Sequence, residues 1–424
     1  MKKLIALLLA LLSILSLASC SDEVPVSTPT EISEEPEAAV TEVTATSNPE
    51  KPSYTVFEAL NVPVLDVDGL TVTIGDFQDD YGSDISCQVE IKNSSCQTAH
   101  ISFHTVAVNG KITDDTFAES VGANTTIAKK FELESMDVPK NLTRLSILLY
   151  VSDEVYNTAT YLLDIYPQGQ AAYTANPPAR EGFGVLVDDG NIFAVSKKIN
   201  YSSKPSLSFL AFNDSQQILT LTLNPTAINN FGIHNYYSVD MLPNTYIEDR
   251  ISLSEYQNLL DLGMENSRIT SVSLHARVDI GSKQHYNKQV TVYPEGEALA
   301  ESFTYIPEPD DVIVLESTDL RLLQVRCQTP RNINKSNITF ILENKTGKPL
   351  HIKGNNIKLN GQSLAQTFFS CSSNDGRDCC AVLSFADDLD ELGITAISEL
   401  EMTVEVLDEH YEPIHNETVL FQIA

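Results

Sequence analysis

Thiols are the most reactive groups this chain offers. Six follow residue 20: Cys87, Cys96, Cys327, Cys371, Cys379 and Cys380. The stretch CSSNDGRDCC at 371–380 holds three of them. A turn centred near Asp375-Gly376 sets Cys371 opposite Cys379, so a hairpin disulfide is geometrically reasonable there in an exported protein, with reduced thiols as the alternative. A bond between the adjacent Cys379 and Cys380 is strained and disfavoured. Cys87 reads as a strand residue and Cys96 as part of the following turn. A hairpin turning near 93–98 places Cys87 opposite residue 105 or so, which leaves these two as separate thiols. A zinc site needs a fourth ligand at a familiar spacing, and none stands near the three clustered thiols, so no metal is expected. SSNDGRD (372–378) has the acidic-glycine flavour of a calcium loop but lacks its alternate carboxylates and terminal Glu, and reads as an exposed turn. DVDG (66–69) and DDG (188–190) read as turns after a first strand, with weak calcium binding as the alternative.

Histidines are scattered. His100 and His351 stand at equivalent places, in AHI and LHI, and Leu219 stands near that point between them. A position open to Leu argues for packing rather than catalysis. His100 and His104 share a strand face without a third ligand. The sequence carries no Ser nucleophile elbow, no His-Glu-x-x-His, no phosphate loop and no dinucleotide glycines, and no carboxylate pair stands out as an acid/base couple. The residues thus predict no catalytic site, no cofactor and no enzyme.

The elements that would carry any site come next. At 424 residues the chain suggests two to four domains. A net charge of −31 repels phosphate backbones and anionic lipid, which argues against nucleic acid as a partner. There is no Trp, so a flat aromatic platform for sugars would have to come from the 16 Tyr.

The chain opens MKKLIALLLALLSILSLASCSDE. Lys2 and Lys3 form a positive start, Leu4 to Leu17 a short apolar run, and Ala18 and Ser19 lead into Cys20. Leu17-Ala18-Ser19-Cys20 resembles the lipobox of bacterial lipoproteins. The resemblance implies cleavage after residue 19, diacylglycerol on the Cys20 thiol, and membrane lipid as a partner through Cys20. No later stretch approaches 18 consecutive apolar residues, so lipid would be the membrane attachment, on the extracytoplasmic side. Residues 20–55 are rich in Pro, Ser, Thr and Glu and read as a disordered acidic stalk.

Beyond the stalk the chain repeats itself. VEIKN ends at Asn93, FLAFN at Asn213 and FILEN at Asn344; sixteen residues after each stands another Asn, at 109, 229 and 360. The phrase apolar-Thr-x-apolar-Ser recurs as LTRLS (142–146), ITSVS (269–273) and ITAIS (394–398). Two copies close alike, YPQGQA at 166–171 and YPEGEA at 293–298. Period-two patterns such as Leu145, Ile147, Leu149, Val151 and Val272, Leu274, Ala276, Val278 are half-buried strands. In the third copy the phase slips between Ile397 and Leu400, which predicts a bulge. Asn109-Gly110, Asn229-Asn230 and Asn360-Gly361 suit type I′ turns, where both residues take positive φ. SLSEYQNLLDLG (252–263) and FADDLDELG (385–393) predict short helices.

Seven or so short strands per copy suggest a two-sheet sandwich. Each copy resembles the immunoglobulin-like domains found in tandem in bacterial surface lipoproteins of unknown role. The expected architecture is all-β: signal peptide 1–19, stalk 20–55, immunoglobulin-like domain 1 at 56–167, linker 168–182, domain 2 at 183–294, linker 295–309 and domain 3 at 310–424, each domain with a short helical crossing. The expected function is a monomeric, membrane-anchored binding, adhesion or spacer protein with an extracellular protein or glycan as partner. The alternative is a carbohydrate- or peptidoglycan-binding module that uses Tyr236-Tyr237 or Tyr246, against those side chains serving as packed core.

Overall fold

The structure is a computed structural model. It describes residues 53–423 apart from 81–83, 134–141, 155–157, 202–203, 254–255, 264–267, 326–337, 365–366, 386–388, 390–391 and 395–396. The expected leader, Leu17, Ala18, Ser19, Cys20, most of the stalk, Cys327 and much of the expected helix at 385–393 lie outside the described residues.

Alternating apolar and polar residues make strands almost throughout. The first segment holds β1 Ser53–Phe57, β2 Pro63–Val67, β3 Leu70–Ile74, β4 Gln78–Asp80, β5 Asp84–Asn93, β6 Ala99–Val108, β7 Lys111–Thr113, β8 Phe117–Val121, β9 Thr125–Leu133, β10 Leu145–Ser152 and β11 Thr158–Ile165. The second holds β12 Gly184–Asp188, β13 Ile192–Asn200, β14 Ser206–Asn213, β15 Leu219–Ile228, β16 Phe231–Gly232, β17 Ser238–Met241, β18 Thr245–Ser252, the six-residue helix α1 Tyr256–Asp261, β19 Val272–Ile280 and β20 Lys283–Val292. The third holds β21 Val312–Glu316, β22 Leu320–Val325, β23 Ile338–Asn344, β24 Leu350–Leu359, β25 Gln362–Ser363, β26 Phe369–Ser373, β27 Cys379–Leu383, β28 Glu399–Leu407 and β29 Pro413–Gln422. β1 corrects the stalk boundary: the alternating SYTVF pairs in parallel with β11, so residues 53–55 belong to a sheet.

Each segment packs two sheet portions over a core. In the first, Val72, Ile91 and Phe131 meet Phe103, Ile147 and Leu163. In the second, Phe209 and Ile247 meet Leu221, Leu274 and Val278. In the third, Leu322, Phe340 and Leu383 meet Ile352, Val404 and Phe421. The period-two residues Leu145, Ile147 and Leu149, and Val272, Leu274, Ala276 and Val278, are buried and Val151 partly so; Ser146, Leu148 and Ser273 on the opposite faces are buried too, so these strands are covered on both faces over part of their length rather than half-buried.

The two recurrent asparagines do identical work each time. Asn93, Asn213 and Asn344 each close a turn: the side-chain carbonyl accepts the backbone N–H and hydroxyl of Ser95, Ser215 or Thr346. Their amide groups donate to Gln97, Gln217 and Lys348 carbonyls. Asn109, Asn229 and Asn360 sit at φ of 48–49° in the hairpin turns. The Oδ1 of Asn109 accepts from Thr143 and Arg144, and that of Asn229 from Thr270 and Ser271. Asn360 Oδ1 accepts from Ser398 and Glu399. This corrects the third match of the Thr-Ser phrase. The structural equivalent of Thr143-Arg144 is Ser398-Glu399, three residues beyond Thr395, and the irregularity falls in the partner strand, between Asn355 and Lys358.

Strand pairing crosses both expected boundaries. β7 pairs with β18 at Lys111↔Tyr246, and β16 with β27 at Gly232↔Cys379. Ile112 and Gly232 are equivalent, opposite Ala107 and Ala227. Ile247 and Cys379 are equivalent, opposite Ala211 and Leu342. The two junctions therefore share one register, read one residue apart. A ten-stranded and a nine-stranded sheet result. The middle core takes in Ala107, Ile112, Leu148 and Leu162 from the first segment and Leu323, Val325 and Ile341 from the third. Residues 51–424 form one compact unit.

The expected linkers are pinned. Arg180 binds both carboxylate oxygens of Asp214 at 2.6 Å and lies over the Phe212 ring at 4.6 Å. In the second linker Phe303 N–H donates to Asn229 O, and its ring meets Phe231 at 5.2 Å.

Candidate functional site

Residues of β6, β8, β10 and β11 line a cleft of about 540 Å³ on the first segment. Its lining includes His100, Ser102, Glu119, Ser120, Tyr150 and Ser152. The alternation that buries Ile101 and Phe103 turns His100, Ser102 and His104 outward. His100 Nδ1 and Ser120 Oγ share a hydrogen bond of 2.7 Å. Glu119 pairs with Lys129 at 3.5 Å. At the junction end the His104 ring stacks on Tyr150, 4.7 Å between centroids and 12° between planes. His104 Nε2 lies 3.5 Å from Asp240 Oδ2 of the second segment, and Asp240 Oδ1 accepts from Thr220 at 2.6 Å. Burial, with Asp240 beside it, pushes the Tyr150 hydroxyl above its ordinary pKa, so it remains a donor. The cleft offers hydroxyl groups, an imidazole, a carboxylate and an aromatic ring in one concave surface.

The His100–Ser120 pair invites a nucleophile reading, and its recurrence argues otherwise. The same cross-strand position holds Thr220–Asp240 in the second segment and His351–Ser372, bonded at 3.0 Å, in the third. Thr220, not the buried Leu219, is the equivalent of His100; a one-residue slip in reading β15 exchanges the two faces. A polar pair that changes chemistry while keeping its place serves the sheet.

At the first–second junction lies a buried ion pair that the sequence reading passed over. Arg144 and Asp164 are 3% and 2% exposed. Arg144 Nε and Nη2 reach Asp164 Oδ1 and Oδ2 at 3.2 and 3.1 Å. Its Nη1 and Nη2 also donate to Asn244 O and Pro243 O, both at 3.1 Å, across the boundary. Tyr54 donates to Asp164 Oδ2 at 2.8 Å, and Ser146 to Oδ1. Burial pulls the guanidinium pKa down, but the Asp164 carboxylate, with Tyr173 and Tyr166 beside it, holds it above its ordinary value. The available signal was a charge inside each of two apolar strand runs, LTRLSILLYV and YLLDIYP.

Cys371 and Cys379 come together with Sγ atoms 3.4 Å apart. They are not a hairpin ladder pair: β26 pairs with β24, while β27 pairs with β23 in the facing sheet. Cys87 lies opposite Phe131 rather than residue 105, because β5 and β6 belong to different sheets. Cys87 is buried and Cys96 exposed. Asp68-Gly69 and Gly190 take positive φ in the DVDG and DDG turns. Among the described residues no three of His, Cys, Asp and Glu gather as metal ligands. Of the candidate sugar-contacting tyrosines, Tyr236 is 67% exposed. Tyr237 instead donates to Asp249 at 2.7 Å, and Tyr246 packs at 6.0 Å on Phe212. No described helix is long and apolar enough to cross a membrane.

No family model and no curated protein matches this chain. Among solved structures it is similar to a crystal structure of red sea bream transglutaminase, at 13% identity and a TM-score of 0.17, covering 54% of this chain and 31% of that one. The chain thus spans about a third of that protein's length. A likeness at this TM-score carries no argument about fold or activity.

Proposed function

We propose that the protein is a membrane-anchored, extracytoplasmic lipoprotein: three tandem immunoglobulin-like β-sandwiches, each with a short helical crossing, that serve as a non-enzymatic binding, adhesion or spacer body. The observation that carries the reading is the pair of junctions in one register. Sheet edges and outer faces are spent on holding neighbouring segments at a fixed spacing, which suits a protein that presents surfaces at a distance. The leader through Leu17-Ala18-Ser19-Cys20 supports lipid attachment at Cys20. The test compares the full chain with Cys20→Ser in cells fed an alkyne fatty acid. The reading expects label and membrane retention in the first and their loss in the second. Equal retention of the Ser variant would refute the anchor.

A second reading, glycan binding, is favoured by the first-segment cleft with Tyr150, His100 and its hydroxyl groups. The shortage of cationic groups there directs it to neutral sugars. A glycan array probed with the full chain and with Tyr150→Ala tests it, and binding that survives the substitution sends the site elsewhere.

A further inference from the structure

Cys371 and Cys379 are 4% and 1% exposed, and both belong to the third core. Cys371 stands opposite Ile352 on β24, and Cys379 opposite Leu342 on β23. Register gives their counterparts in the second segment. Ser372 pairs with His351 as Asp240 pairs with Thr220, so Cys371 corresponds to Val239. Cys379 corresponds to Ile247. Where the second segment packs two aliphatic side chains between its sheets, the third places two thiols in contact. Cys380 is the next residue on β27, so its side chain points the other way; it packs against the middle core. That alternation selects Cys379 as the partner of Cys371.

The same strand receives the second segment. Gly232 N–H donates to Asp378 O at 2.7 Å, and a Cβ at Gly232 would stand 2.8 Å from the Cys379 Cβ.

We propose that Cys371 and Cys379 close into a disulfide that ties the facing sheets of the third segment at the strand edge holding the second. The oxidant is a small-molecule disulfide of the oxidised-glutathione class. One cysteine thiolate attacks it, forming a mixed disulfide and releasing one thiol. The other thiolate then attacks the protein sulfur and releases the second thiol. The two protein sulfurs give up two electrons, the reagent's sulfurs gain them, and the two cysteine protons end on the released thiols. Because both cysteines are buried, closure accompanies folding.

The test uses the full chain, purified in detergent after export and alkylated without reduction. Trypsin cuts after Arg377, between the two cysteines. The expected product is a linked pair of peptides, two hydrogens lighter than the dithiol and separated by reduction. Alkylation of both thiols after folding with oxidised glutathione, or a link from either to another cysteine, overturns the proposal. Reduction should lower the melting temperature of the wild type and leave that of Cys371→Val/Cys379→Ile unmoved; equal response of both also overturns it. Reduction should hasten amide exchange at Phe231 and Gly232, and unchanged exchange there would overturn the coupling to the junction.

Discussion

Replacing Arg144 by Ala probes the first junction at its most expensive contact. The guanidinium is almost fully buried, grips Asp164 through two hydrogen bonds and donates to the Pro243 and Asn244 carbonyls. Truncation leaves a buried carboxylate held, among the described residues, by the Ser146 and Tyr54 hydroxyls, and two boundary carbonyls without this donor. Removing one partner of a buried pair costs about 3–5 kcal/mol. Converting both partners, as Arg144→Met/Asp164→Leu, removes the stranded charge and should recover much of that loss. What stays lost combines the two bonds across the boundary, about 1 kcal/mol each, with the cost of the buried Ser146 hydroxyl and the Tyr54 hydroxyl left without their acceptor. Urea unfolding of the chain followed by tyrosine fluorescence is suitable, since there are 16 Tyr and no Trp. A loss below about 1 kcal/mol in the single variant, in the range of exposed ion pairs, would refute the buried-lock reasoning.

Three other outcomes are expected. Asn213→Ala removes donors to Gln217, Met241 and Leu242 carbonyls and should cost about 2–4 kcal/mol by denaturant midpoint. A thiol reagent at pH 8 should modify exposed Cys96 quickly and Cys87 only on unfolding, because burial pushes the Cys87 thiol up to about 12. Burial, then Lys353 and His234, lower the His351 pKa, so the folded chain resists a proton that the unfolded chain takes up near its ordinary value of about 6.5. Stability contributed by neutral His351 is therefore fully present above that pH and lost progressively as pH falls from it through the lower folded-state value; denaturant midpoints at pH 8 and 5.5 should show a smaller loss in His351→Gln.

The repeat was legible because its devices are local. An Asn, a Ser or Thr two residues on and a second Asn sixteen away each fix one turn, and turns leave fixed spacings in sequence. The strands were legible where one face is buried. The junctions were not, because the bridge from Lys111 to Tyr246 joins residues far apart by single contacts that leave no period. Arg144 drew no notice, since its partners Asp164 and Pro243 are set by tertiary placement. The third Thr-Ser phrase misled because the Asn360 side chain takes the backbone N–H groups of Ser398 and Glu399, so Ser398, not Thr395 of ITAIS, fills the place of Thr143 and Thr270. The cysteine pair was found by spacing alone, but the turn at 374–378 carries the chain from one sheet to the other rather than closing a ladder.

Amide exchange at Tyr246 and Gly232 in the full chain tests the central claim most directly. Their N–H groups donate to Gly110 O and Asp378 O, the bonds that join one segment to the next. If the junctions hold, both amides exchange as slowly as neighbouring core positions such as Leu210 and Ile341. Exchange at the rate of open turns, while those core amides stay protected, would mean that the segments are not interlocked.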